Sequence, residues 1–394
     1  MIAALALLAA LAAQDPALRT LRADQLSAAR ARVQRGDAEL RPALARLLVE
    51  ADSALRAGPF SVMDKQRVPP SGERHDYTSL GPYWWPDPTK PDGLPYIRKD
   101  GRRNPETQID YDAPRLHRMV GAVHTLALAY YFTGQEDYAR HAAGLLRTWF
   151  LDSATRMNPH LEFGQAIPGV TPGRAAGIIE TREFPRLLDG LALLDGSPHW
   201  TALDRQRMRE WMGAFLDWLR TSRIGKDEAA ATNNHGSWYD VQTTALALFV
   251  GRPELARQIV EASKTRRIAR QIEPDGRQPR ELGRTRSLDY SVFNLEALMQ
   301  LAELGRHVGV NLWSYEAPGG GSIRKALDYL APYADPAKRW SHEQITPVSP
   351  SRLLLVLRLG ELAYGDPRYC ALLPTTHRVQ LLYPPPVHRA GATR

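Results

Sequence analysis

From residue 17 onward, leucine, alanine and valine return every three or four positions, with arginine and carboxylates between them. That spacing lays an apolar stripe along one face of an α-helix. It predicts helices over 17–34, 37–57, 113–133, 136–151, 183–195, 201–221, 237–250, 253–271, 288–306, 322–333 and 350–364. Gly36-Asp37 splits the first two, and Gly134-Gln135 joins a helical hairpin. Period-2 alternation is scarce and no strand–glycine turn–helix pattern occurs, so the fold class is all-α. Helical hairpins in this number build a bundle, a solenoid or a toroid. The absence of self-similarity at 34 or 40 residues speaks against a regular solenoid. Three breaks, 60–112, 152–182 and 272–287, are dense in aromatic and polar residues, and breaks this long inside a compact domain usually carry function. No linker divides residues 14–394, which read as one domain.

A chain of 394 residues with 43% hydrophobic and 24% charged residues can bury a large core. Lysine and arginine number 51 against 43 acids, a net charge of +8 that favours a polyanionic partner. Nucleic acid is not expected, because the basic residues are scattered and no helix-turn-helix, zinc-finger or RNP signature accompanies them. The single cysteine, Cys370, forms no internal disulfide, and no Cys/His spacing resembles a zinc site. Neither metal nor cofactor is expected. Residues 2–13 form an apolar run with Ala10-Leu11-Ala12 as a small-x-small cleavage site and no Lys or Arg before it. The run is shorter than the ~20 residues that span a bilayer and reads as a signal-peptide remnant. Export to the periplasm or beyond is expected, with no membrane insertion of the remainder. The basic tail 388–394 is expected to fray.

Three segments carry chemistry. Asn233-Asn234-His235-Gly236-Ser237-Trp238-Tyr239-Asp240 precedes an apolar helix beginning near Val241. Polar groups at a helix amino terminus can hold an anion, through free N–H groups and the helix dipole; the plainer alternative is a capping Asn beside a buried His. Arg280–Ser291 contains Arg284, Arg286 and Tyr290 ahead of another apolar helix, and 286 and 290 share a face if that turn is helical. A solvated basic turn is the alternative there. Asp76–Tyr96 holds Tyr83, Trp84 and Trp85 among prolines. It predicts a rigid surface loop whose flat rings stack on sugars, or fold back onto the core. The Asn158–Gly169 stretch adds His160 and Gln165.

Taken together, these segments resemble the alginate-lyase-type polysaccharide lyases, and most closely their glucuronan lyase branch, over about residues 60–305. The resemblance implies an incomplete (α/α) toroid that acts on an anionic polysaccharide. It implies Asn234 as carboxylate-neutralising residue, His235 and Tyr290 as catalytic His and Tyr, and Arg284 as the tyrosine's partner, with Arg286 the alternative. Asn233, Trp238, Tyr239, Arg286, Tyr83, Trp84, Trp85, His160 and Gln165 are then the candidate substrate contacts.

These residue types suit a β-elimination. A base takes the proton at C5 of a uronate, the C4 oxygen leaves, and a C4=C5 double bond remains. Donors around the carboxylate must offset charge that grows as the proton departs. In mannuronate and glucuronate H5 and O4 lie on one side, so a single phenol can take one proton and return it. That requires neighbouring cations to lower the Tyr290 pKa from about 10. His235 is the alternative base. Two other functions compete: an (α/α)-barrel glycoside hydrolase drawing two carboxylates from Asp110, Asp112, Glu162 and Asp240, and a non-catalytic binder of acidic glycans.

Overall fold

The computed structural model describes residues 17–347, 349–369 and 378–384. The segment 1–13, Cys370 and the tail 388–394 lie outside the described residues. The helices run α1 (Ala23–Gln34), α2 (Arg41–Ala54), α3 (Asp112–Thr133), α4 (Glu136–Leu146), α5 (Phe184–Leu193), α6 (Ala202–Thr221), α7 (Arg223–Ala230), α8 (Asn234–Phe249) and α9 (Pro253–Ser263). Two single turns follow, α10 (Ala269–Gln271) and α11 (Pro279–Leu282). The chain then forms α12 (Ser287–Arg306), α13 (Ile323–Leu330), α14 (Leu354–Tyr364) and the short α15 (Val379–Leu382).

Burial sorts these helices into two layers. α3 buries residues on nearly every side, from Leu116 and Met119 to His124 and Phe132, and α8 and α12 do the same. A helix covered all round belongs inside. α9 and α13 bury only a stripe, Ala256 and Val260 in one, Ile323, Leu327 and Leu330 in the other. The inner row runs α3–α5–α8–α12–α14. α2 and α4 lean on α3, α6 and α9 on α8, and α13 on α12. α15 touches α1, α2 and α14, bringing the last described segment back to the first helices. The result is an all-α toroid, as the helical periodicity and the resemblance lead one to expect. Fully buried Phe150, Phe184 and Phe215 are among its largest core side chains, each stabilising by roughly 1.5–3 kcal/mol.

Local chemistry accounts for the boundaries. Gly134, at φ 72°, ends α3 in the left-handed region. Thr201 and Asp204 form a capping box that starts α6. The segments expected at 136–151 and 253–271 each contain a π turn, Arg147–Leu151 at the end of the first and Lys264–Ile268 just before α10 in the second. Helix α7 was not expected from the sequence; the Ser222 hydroxyl caps it by accepting from Gly225 N–H.

The amino-terminal segment is tied to the interior. Asp189 of α5, fully buried, accepts backbone N–H groups from Arg19, Thr20 and Leu21. Arg22 forks onto Glu303 of α12 at 2.7 and 2.6 Å.

The long breaks are clipped to one another. β1 (Thr78–Leu80) pairs in parallel with β4 (Phe163–Ala166), joining the first break to the second. β2 (Trp84–Trp85) pairs antiparallel with β3 (Ile97–Arg98). The third break is held by residues 343–345: Ser287 N–H donates to Glu343 O and Ile345 N–H to Thr285 O. The ordered loop expected around Tyr83 is therefore a pair of tiny ribbons.

Candidate active site

A cleft of about 810 Å³ opens where the three breaks meet the start of α8 and of α12. Asn234, His235, Arg284 and Tyr290 all line it, as do Asn233, Arg286, Tyr83, Trp84 and Gln165. Seven arginines face this space against four carboxylates, a positive field suited to a polyanion.

Helix α8 begins at Asn234, earlier than the apolar pattern alone implies. Asn233 is extended and its side-chain oxygen accepts from His235 N–H at 3.3 Å, so it is the cap. The first turn is held by two buried carboxylates. Glu281 accepts the Asn234 backbone N–H and its Nδ2–H, both at 2.7 Å. Glu228, from α7, sits 2.6 Å from His235 Nδ1. A carboxylate accepts only, so Nδ1 carries hydrogen and Nε2 is left for other partners. The Asn234 N–H group that the sequence offers to an external anion is thus filled from within, by Glu281. Burial pushes the Glu281 carboxyl up, against the lowering effect of the Asn234 bonds.

Beneath this turn, Arg267 acts as a clamp. Its Nε and Nη2 bond Asp240 at 2.7 and 3.0 Å, while Nη1 reaches Ala231 O and Nη2 Ala229 O. Arg267 and Asp240 are 2% and 4% exposed. Gly236 has no room for a side chain: a Cβ would stand 2.1 Å from Ala231 O and 2.3 Å from Arg267 Nη1.

At the opposite wall, Tyr290 N–H donates to Arg286 O, so residues 286–290 do form a helical turn. The Tyr290 hydroxyl lies 2.6 Å from that of Tyr83. Arg284 places its guanidinium 3.9 Å from the Tyr290 ring centroid and forks onto Asp100 at 2.7 and 3.1 Å. Arg286 is bound to Asp289. Of the two arginines, Arg284 is the one stacked on the Tyr290 ring. The expected lowering of the Tyr290 pKa is not found in the resting site. Burial and the adjoining Tyr83 raise it, outweighing the pull of Arg284. The same guanidinium holds the Asp100 carboxyl well below the usual range.

Four expected contacts do not line this cleft. Trp238 is 2% exposed and packs against Phe293 from the far side, centroids 5.0 Å apart. Tyr239 is buried, donating its hydroxyl to Leu219 O. Both lie about one turn further along α8 than His235, and aromatic bodies there are drawn into the core. His160 pairs with Asp76 at 2.9 Å and lies against Trp218. Trp85 turns outward, where its Nε1 donates to Arg102 O and Lys99 covers its ring; alternation along β2 sends it opposite to Trp84.

Residues 61–340 match the alginate lyase family. That span is most of the chain. The chain belongs to the alginate lyase family. An alginate lyase from Bacteroides ovatus is 40% identical with a TM-score of 0.90, covering 93% of this chain and 99% of its own. Alginate lyase A1-III from Sphingomonas species A1 shares the fold at 19% identity and TM-score 0.59, over 92% and 95% of the two chains. A variant of A1-III complexed with tetrasaccharide matches with TM-score 0.60 at 19% identity, over 95% and 97%. No curated protein sequence matches the chain. The enzyme is a polysaccharide lyase.

The carboxylates weighed for a hydrolytic reading in this lyase are occupied elsewhere. Asp240 binds Arg267, and Asp112 binds Lys65 at 3.0 Å in the core. Glu162 accepts from Trp218 Nε1, and Asp110 from the Gln66 and Arg67 N–H groups. None faces the cleft. The partners overlooked in the sequence are Glu228, Glu281, Asp100 and Arg174. Glu228, Glu281 and Asp100 sit in charged runs, such as Lys226-Asp227-Glu228 or Lys99-Asp100, that read as solvated surface, and Arg174 is a lone charge between Gly173 and Ala175. Glu281 stood inside a segment already singled out. Arg174 donates to Gln165 Oε1 at 2.6 Å, and Gln165 adopts φ 51°, a strained conformation for a non-glycine residue.

Proposed function

We propose that this lyase cleaves a polymer of mannuronate or glucuronate by β-elimination, with Tyr290 moving the proton. The observation that carries the reading is the convergence of Asn234, His235, Arg284 and Tyr290 on one cleft. The Tyr290 phenolate takes H5, the C4–O4 bond breaks as C4=C5 forms, and the new phenol returns its proton to the departing oxygen. Arg284 and Arg174 offset the substrate's negative charge, Asn234 offers its carboxylate the Nδ2 hydrogen that Glu281 does not take, and His235, its Nδ1–H held by Glu228, turns Nε2 toward the substrate, donating there only as imidazolium. The Bacteroides ovatus relative is described as an alginate lyase, which favours the mannuronate blocks of alginate. The resemblance of the loop segments favours glucuronan as the second candidate. The enzyme is proposed to work outside the cytoplasm, on the strength of the apolar run 2–13.

Absorbance of the unsaturated product, followed on polymannuronate, polyguluronate, glucuronan and hyaluronan, tests the proposal. Growth on none of them would defeat it. The raised phenol sets the sign of the pH dependence. Only phenolate accepts H5, so kcat/KM is expected to climb about tenfold per pH unit through the mildly alkaline range. A rate that does not change with pH across that range would take the base role away from the phenol.

Glu228→Gln is expected to lower kcat by roughly ten- to a hundredfold, with KM little changed. The amide keeps the volume but removes the charge that favours His235 as a donor through Nδ1. Equal kcat in parent and variant would reduce Glu228 to a packing role.

A further inference from the structure

The cleft continues past its own wall. A second basin of about 380 Å³ adjoins it, and Pro82, Arg103, His117 and Glu180 face both spaces. Arg118 and Gln108 line the far side of the basin.

The charges of the main cleft are largely engaged. Arg98 and Arg284 share Asp100, and Arg286 has Asp289. Arg182 and Arg352 stand 3.8 and 4.0 Å from Glu183 and Glu296. Arg103, exposed at the saddle between the two spaces, has no carboxylate within ion-pair distance among the described residues, and neither has Arg118. Arg118 donates only to Pro114 O, at 3.3 Å, and rests its guanidinium 5.4 Å from the Phe60 ring centroid. Among the described residues, the one acid lining the basin is Glu180. Its Oε2 accepts the Tyr77 and Ser79 hydroxyls at 2.7 and 2.6 Å. Burial pushes its carboxyl up to about 7, so in neutral solution it carries a partial charge at most, and the oxygen that would hold it is already engaged by the two hydroxyls. His117 is held neutral, lowered to about 4 chiefly by burial. Two unneutralised guanidiniums therefore mark a path leading away from Tyr290.

We propose that this basin is an accessory subsite: it holds further uronate units of a chain lying in the cleft, with Arg103 at the saddle and Arg118 beyond it pairing with their carboxylates. The inference rests on the uronate-lyase reading and adds to it a dependence on chain length. A trimer fills the cleft around Tyr290, whereas an octamer reaches Arg118.

Binding is the readout, so that the outcome does not depend on cleavage. Mannuronate trimer and octamer are titrated calorimetrically into the Tyr290→Phe enzyme, with and without Arg118→Ala or Arg118→Glu. The octamer is expected to bind about tenfold tighter than the trimer, the size of one charge-assisted contact. Arg118→Ala removes most of that advantage and Arg118→Glu removes all of it. Arg118 is exposed, so thermal melts should match the parent's. An octamer that binds no tighter than the trimer overturns the proposal. So does an advantage that survives Arg118→Glu. Failure of the unmodified enzyme to cleave any polymer in the absorbance panel falls on the lyase reading, and these titrations remain informative about the basin.

Discussion

Tyr290→Phe is expected to lower kcat on polymannuronate or glucuronan by about 10³-fold, the range seen when a positioned proton-transfer group is removed. KM should stay within about threefold, because the ring and its stacking with Arg284 remain and only a hydroxyl is lost. Stability should fall by no more than about 1 kcal/mol, the value of a single hydrogen bond, here the one to Tyr83. The comparison with Tyr83→Phe is instructive. That variant removes the same contact but leaves the Tyr290 hydroxyl, so it should retain far more activity. Steady-state kinetics on both variants decide the matter. Near-parental turnover in Tyr290→Phe would take the proton away from this residue.

Arg267→Ala is expected to destabilise the protein by about 3–5 kcal/mol. The guanidinium links the end of α7, through the Ala229 and Ala231 carbonyls, to Asp240 on α8. Removing it strands a carboxylate that is 4% exposed. The loss should appear as a lower urea midpoint with an unchanged slope. Activity should fall as well, because Ala231 and Arg267 wedge the turn that carries Asn234 and His235. Replacing both partners with apolar residues, Arg267→Met with Asp240→Leu, should recover much of the stability. An Arg267→Ala midpoint equal to the parent's would mean that the clamp bears no strain.

The parts of the fold and site that were legible in the sequence have a common physical origin. Repeating apolar stripes announced α3, α6 and α12, because burial of one face is recorded along a continuous stretch of chain. The placement of Asn234, His235, Arg284 and Tyr290 in one cleft was readable only through the resemblance to known lyases. No periodicity connects residue 234 with residue 290. The carboxylates that hold them were not legible. Glu228 and Glu281 look like surface charges until α7 and α11 fold them inward. The aromatic residues misled for the converse reason. Trp238 and Tyr239 follow His235 by three and four residues, so they share its side of α8 but sit about one turn further along the helix, where they are buried in the core. The phenol's pKa depends on a balance between burial, Tyr83 and Arg284 that no spacing rule contains.

Asp189 fixes a limit on how the chain can be processed. Its carboxylate is satisfied by the backbone of Arg19, Thr20 and Leu21, so a protease that trimmed past Arg19 would leave a charge stranded in dry protein. A cleavage near Ala12, where the sequence offers a small-x-small site, would spare that contact. How far the front of the chain can be shortened and how one interior oxygen pair is solvated, on a helix 170 residues downstream, are thus tied to the same few N–H groups.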